Sequence, residues 1–356
     1  MSVPLSFSAA SDAGIWERIH DFGPNPALLS LDVFRPAGLR PGAPLVLALH
    51  GCTQDGVRYD QDTGWSALAA RWGFALLLPG QTRQNHPLGC FRWYEPAQTH
   101  RGGPEMTSLV AMVRWGWTAL GCDPGRSFAT GLSAGGAMTA ALLATHPEMF
   151  AAGAILAALP FGAAASAPTA LAAMRRPWPR RSQHWLRKAL EAAGPEHPGS
   201  GVRRNWPRLS VWHGLADTIV HPGNGRELVK QWLALHGLDP LRSVETRIGN
   251  HHHRCFADPQ GRIKLEAWWL AGMGHGVPVA LAATPEPPSA PVEIRPHVFD
   301  VGLAASARIA DFWGLTDTPA TLLPGGTAPS SGTPFRRWSP PWDFLRRRLG
   351  FPPFRS

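Results

Sequence analysis

Apolar residues recur along this chain in two rhythms. Short segments at 44–49, 74–78, 127–130, 151–156, 209–212 and 263–270 read as strands, and the 44–49 run is apolar without alternation, as expected of a strand covered on both faces. Between them, 65–72, 105–120, the small-residue run that follows Ser133 through Ala144, and 226–236 read as helices. Regular alternation of strand and helix predicts an α/β chain with a mostly parallel central sheet and helices on both faces. The segment 28–34 alternates apolar and polar positions and reads as an edge strand, 263–270 reads as the final strand, and a helix over 304–313 closes the domain.

Two stretches break the rhythm. Residues 160–207 are rich in Pro, Ala and Arg, with one helical patch at 183–193, and sit where a cap over a cleft is often inserted; a surface decoration is the alternative. After residue 315, a Pro, Gly, Thr and Ser-rich linker over 316–334 leads to 335–356, where aromatics alternate with arginines. That tail is suited either to lying on an apolar granule or anionic membrane face or to docking on the domain at 1–315.

Composition narrows the picture. With 356 residues, 44% hydrophobic and 17% charged, the chain is globular and long enough for a full core. The net charge of +9 comes almost wholly from arginine, Lys188, Lys230 and Lys264 being the only lysines; compositional drift accounts for it as readily as a basic functional face. No nucleic-acid-binding signature is present. The N-terminus lacks the pattern of a secretory signal, and no apolar run is long enough to span a membrane.

Candidate chemistry gathers at predicted strand ends. Residues 131–135, Gly-Leu-Ser-Ala-Gly, lie between a strand and a helix, the setting in which a tight turn lifts a serine hydroxyl clear of the backbone. Ser133 is therefore the candidate nucleophile, with the Ala134 N–H as an oxyanion donor. The turn after 44–49 contains Gly51 and Cys52, and the Cys52 N–H is a candidate second donor. Asp217 and His275 follow two later strands, giving the order Ser, Asp, His, in which His275 would serve as base and Asp217 as its orienting acid. Trp93, in the long loop 80–103, is either a substrate wall or local packing, and Gln54 is the second substrate-binding candidate. The consecutive His251, His252 and His253 could not all face one way on a strand and would be solvated in a loop; neither a metal nor a cofactor is expected.

These residues sit in a wider set of motifs: FGPNPALL at 22–29, LHGCTQ at 49–54, GCFRW at 89–93, RGGPE at 101–105, DPGRSFATGLSAGGAMTAALLATHPEMFAAGA at 123–154, WHGLADTIVHPGNG at 212–225 and GMGH at 272–275. Together they resemble the polyhydroxybutyrate depolymerase family of esterases over roughly residues 20–315. The resemblance implies an α/β-hydrolase fold, secretion in most members, and hydrolysis of an ester or polyester by Ser133, Asp217 and His275. It also implies an oxyanion donor at Cys52 and a disulfide between Cys52 and Cys90. Cys122 and Cys255 are expected to stay unbonded, because the strands at 127 and 263 should lie three places apart. Two departures stand out: His275 is followed by Gly-Val-Pro-Val instead of Ala-Trp-Ser-Gly-Gly, and Ala27 replaces a glycine. Because the family overlaps in sequence with feruloyl and acetylxylan esterases, a carbohydrate esterase is the runner-up. A non-catalytic protein that binds hydrophobic surfaces is the rival from another class.

Overall fold

The computed structural model describes residues 9–11, 13–194, 205–281 and 295–316. The linker and the aromatic tail expected beyond 316 lie outside the described residues. In chain order the strands are β1 (Ala9–Ser11), β2 (Gly14–Ile19), β3 (Ser30–Pro36), β4 (Leu45–Leu49), β5 (Ala75–Gly80), β6 (Ser127–Leu132), β7 (Ala152–Leu156), β8 (Arg208–Gly214), β9 (Ser243–Ile248), β10 (His251–Ala257), β11 (Ile263–Leu270), β12 (Val277–Val279) and β13 (Val298–Asp300). The helices are α1 (Gly56–Thr63), α2 (Trp65–Trp72), α3 (Pro96–Thr99), α4 (Pro104–Ala119), α5 (Ala134–Thr145), α6 (Ala167–Arg175), α7 (Ser182–Ala193), α8 (Gly223–His236) and α9 (Ala305–Trp313).

The main sheet has 11 strands in the order β1-β2-β3-β5-β4-β6-β7-β8-β11-β10-β9. Its centre, β5 through β11, is parallel, and antiparallel strands close both edges. The mostly parallel sheet with flanking helices is the α/β-hydrolase fold. Successive residues of β4 explain its unbroken apolar run. Leu45, Leu47 and Leu49 join the core beneath α4, α5 and α8, whereas Val46 and Ala48 join the opposite core beneath α2 and α9. Each side chain is buried, so neither parity needs polar residues.

Two expectations are corrected. The segment predicted as an edge strand is internal, as β3, because β1 and β2 pair outside it. β11 is not the final strand: β12 and β13 follow as a separate parallel pair. Of the two settings open to His251, His252 and His253, strand and loop, the structure has the strand: they lie on β10, next to β11. There they are engaged: His252 with Glu245, His253 with Glu266, and His251 with the Val301 carbonyl. Cys255 and Glu266 face each other across β10 and β11, so His253, Cys255 and Glu266 form a small cluster of metal-capable groups at this edge. The long loop at 80–103 also carries the short helix α3.

Chain order places the functional end of the sheet. After β4 the chain moves outward to β5 and returns to the other side of β4 as β6, so the direction of winding reverses between β4 and β6. Loops leaving the C-terminal ends of two such strands diverge and open a crevice. The loop of Cys52 leaves β4 and the loop of Ser133 leaves β6.

Candidate active site

Ser133 is held with φ 55° and ψ −116° at the junction of β6 and α5. A positive φ is costly for a residue with a Cβ, and it persists here because both flanks are clamped. A Cβ on Gly131 would strike the backbone of Gly135, and one on Gly135 would strike the carbonyls of Leu49 and His50. Both glycines are thus required for the helix to approach β4 and β6 this closely. The Ser133 N–H is anchored on the Leu156 carbonyl at 2.9 Å. The hydroxyl is left pointing into the crevice at the N-terminus of α5.

The structure brings Ser133, His275 and Asp217 into one hydrogen-bonded line. His275 Nε2 lies 2.9 Å from Ser133 Oγ, and His275 Nδ1 lies 2.8 Å from Asp217 Oδ2. The carboxylate can only accept, so Nδ1 carries the proton and Nε2 is free to accept from the serine. Asp217 Oδ1 accepts from the Ile219 and Val220 amides at 2.9 and 2.8 Å, which fixes the plane of the carboxylate. Burial pushes the Asp217 carboxyl up, but hydrogen bonds from His213, His275 and the Val220 amide together hold it well below the usual carboxylate range. The loops of Asp217 and His275 are laced together by Leu215 N to Leu270 O and Ala216 N to Met273 O.

The main-chain N–H groups of Cys52 and Ala134 have no hydrogen-bond partner among the described residues. Cys52 is bonded to Cys90, with 4.3 Å between their Cα atoms, whereas Cys122 and Cys255 are free and buried. β6 and β11 are indeed three places apart, and Cys255 sits one strand further out on β10. The Gln54 side chain turns back into its own loop: Oε1 accepts from Gly51 N at 2.9 Å and Nε2 donates to Asp62 at 2.8 Å. Trp93 is half-buried against the small apolar cluster of Leu159, Ala173 and Val220, which joins the 160–207 insertion to the acid loop.

Several residues with a part in this site escaped the sequence reading. His50 Nδ1 donates to the Gly51 carbonyl at 2.7 Å and Nε2 accepts from Gln81 N at 3.0 Å, and burial lowers its pKa, so it is a neutral strut under the Cys52 loop. Fully buried Glu105 accepts from Gln81 Nε2, Arg92 N and Arg92 Nε, tying the GCFRW segment to α4. That explains the spacing of two motifs, since RGGPE supplies the carboxylate on which GCFRW is hung. His297, with φ 71°, places Nδ1 2.9 Å from the main-chain carbonyl of His275. The only signal for these roles was polar residues standing at positions otherwise consistent with burial.

The family model described as esterase PHB depolymerase matches residues 29–254. The chain belongs to this esterase family. It is a carboxylic ester hydrolase. Poly(3-hydroxyalkanoate) depolymerase C of Paucimonas lemoignei is 34% identical over 301 residues, spanning 84% of this chain and 70% of that protein. A probable acetylxylan esterase A of Aspergillus niger is 29% identical over 282 residues, spanning 78% of this chain and 90% of that protein. The feruloyl esterase B of Talaromyces stipitatus is 29% identical over 263 residues, covering 73% of this chain and 72% of its own length. Among solved structures, the acetyl xylan esterase from Aspergillus awamori superposes with a TM-score of 0.69 at 24% identity, covering 85% of this esterase and 99% of its own chain. The likeness extends through the fold.

Proposed function

We propose that this esterase hydrolyses short-chain hydroxyalkanoate esters through Ser133, His275 and Asp217. The observation that carries the reading is the continuous Ser133–His275–Asp217 hydrogen-bonded line. As Ser133 Oγ attacks the ester carbonyl, its proton passes to His275 Nε2, and Asp217 stabilises the imidazolium. The Cys52 and Ala134 amides receive the oxyanion. Collapse of the tetrahedral intermediate breaks the bond to the alcohol, which leaves with the proton from His275. Water, deprotonated by His275, then cleaves the acyl-enzyme and regenerates the serine.

The depolymerase relative at 34% identity favours a hydroxyalkanoate acyl group. A carbohydrate ester is the second reading, favoured by how fully the acetylxylan esterases are spanned. In the proposed site Trp93 and Ala173 of α6 wall the crevice near Val220, while Gln54 shapes the Cys52 loop beneath the substrate. Initial rates on p-nitrophenyl butyrate, hydroxybutyrate oligomers, acetylated xylan and feruloyl esters test the assignment. Highest kcat/KM on the oligomers is expected; highest kcat/KM on acetylated xylan or feruloyl esters would transfer the assignment to the second reading.

A further inference from the structure

Three non-glycine residues with positive φ surround the crevice: Thr53 at 66°, Ser133 at 55° and His297 at 71°. Ser133 is the candidate nucleophile and Thr53 adjoins the candidate oxyanion donor Cys52. His297 belongs to no strand of the main sheet and reaches the site from residues 295–300. A strained backbone persists only where its surroundings over-determine it, and here they do so from both sides. The His297 carbonyl accepts from Val277 N at 2.7 Å, and the following residues pair in parallel with β12, Val277 opposite Val298. Gly276 passes so close to the His297 backbone that no Cβ fits between them. Within that clamp the His297 ring has one task that chemistry permits. The His275 carbonyl is an acceptor only, so His297 Nδ1 carries a proton and donates it there. The two rings stand edge to face, 5.8 Å between centroids and 85° between planes.

The same short segment reaches the other side of the crevice. Arg295 Nη1 donates to Gln61 Oε1 and to Asp62 Oδ1, each at 3.2 Å. Asp62, almost fully buried, accepts from Gln54 Nε2 through its other oxygen, and Gln54 Oε1 in turn accepts from Gly51 N, beside Cys52. Two residues apart, Arg295 is thus linked through Asp62 and Gln54 to the Cys52 loop, and His297 is bonded to the main chain of His275.

We propose that residues 295–300 are a brace that positions both halves of the catalytic machinery: His297 sets the height and tilt of His275, and Arg295 sets the Cys52 loop through Asp62 and Gln54. The brace rests on the triad reading above, because it acts only through His275 and the oxyanion donors. Both are positioning residues; neither touches the reacting atoms. Their contribution should fall on kcat, since the geometry they hold matters most when the proton moves and the oxyanion forms.

His297 is tested by three substitutions in the full chain, assayed on p-nitrophenyl butyrate with Tm measured alongside. His297→Gly relieves the backbone strain but removes the donor, His297→Ala removes the donor and keeps the strain, and His297→Asn tolerates positive φ and puts an amide N–H where Nδ1 stood. We expect Gly and Ala each to lower kcat on the order of tenfold with KM within about twofold, and Asn to restore most of the loss. Arg295→Gln should also lower kcat and weaken binding of an alkyl boronic acid, a mimic of the tetrahedral intermediate, with KM unchanged. The brace is overturned if His297→Gly turns over at the wild-type rate, if Asn is no better than Ala, or if the losses follow Tm. Ser133→Ala in the same assay separates the two claims: turnover that survives it defeats the triad, whereas its loss alongside an unaffected His297→Gly defeats only the brace.

Discussion

The two ends of the hydrogen-bonded line are built differently. Ser133 is positioned by neighbours in sequence: Gly131, Gly135 and the strand-to-helix turn create its geometry within five residues. His275 is positioned by remote residues, with its ring on Asp217, its carbonyl on His297 and its loop laced to the loop after β8. A locally built site is defined by backbone clearance and therefore fails by clash. A remotely built site is defined by hydrogen bonds and therefore fails by loss of alignment while the fold stands.

Substitutions at the two ends should reveal that contrast. Ser133→Ala and His275→Ala should each lower kcat/KM on the order of 10⁴-fold or more, with Tm nearly unchanged, because members of such a line act as a unit. Asp217→Asn should fall at the low end of that range, about 10⁴-fold, since it disturbs the tautomer without removing the base. Near-normal turnover by His275→Ala, read in the same p-nitrophenyl assay, would remove the remote end from the mechanism.

Next in size is the Cys52–Cys90 bond, which pins the loop after β4 to the loop that holds Trp93 across a separation of 38 residues. Replacing both cysteines by serine should lower unfolding free energy by about 2–4 kcal/mol in a urea titration. An unchanged midpoint would mean that His50, Gln54 and Glu105 hold the loop without it. Gly135→Ala probes the local end: the added methyl must displace the Leu49 and His50 carbonyls, so a stability loss of about 1–3 kcal/mol is expected together with lowered kcat. Wild-type stability in that variant would contradict the claim that backbone clearance defines the elbow.

An effect on stability alone, away from the crevice, concerns His146. Burial, together with Arg101 and Arg114, lowers its pKa to about 4. The unfolded chain would protonate it near 6.5, so it binds more protons than the folded one between those values, and stability is lost as pH falls from about 6.5 to 4. The loss saturates below the folded value. His146→Gln should flatten this part of the stability profile by up to about 3 kcal/mol, measured by urea titration at pH 7 and pH 4. An identical slope in the variant would remove His146 as its source.

The same division decides what could be read from sequence. β4, β5, β6, β7 and β8 were legible because burial on both faces leaves a run of apolar residues, and the elbow was legible because its constraint is local. β9 was invisible: its residues, Ser243 to Ile248, are mostly exposed and polar, so the strand exists only through pairing with β10. α1 was missed for the opposite reason, since its buried Asp60 and Asp62 look like surface residues until Ser66, Gln54 and Arg295 are placed against them. Glu105 and His297 share that character, each defined by partners far along the chain. The departure after His275 was visible, but nothing in Gly-Val-Pro-Val announced that it forms β12 and pairs with a strand beginning at Val298.

The central claim is that Ser133 is a nucleophile activated by His275. Its most direct test is stoichiometric reaction with a fluorophosphonate, read by intact mass and peptide mapping, in the wild type and in His275→Ala. The account predicts one adduct per chain, on the peptide carrying Ser133, with labelling slowed at least about a hundredfold in the variant. An adduct on another serine, no adduct, or equal rates in the two proteins would contradict it.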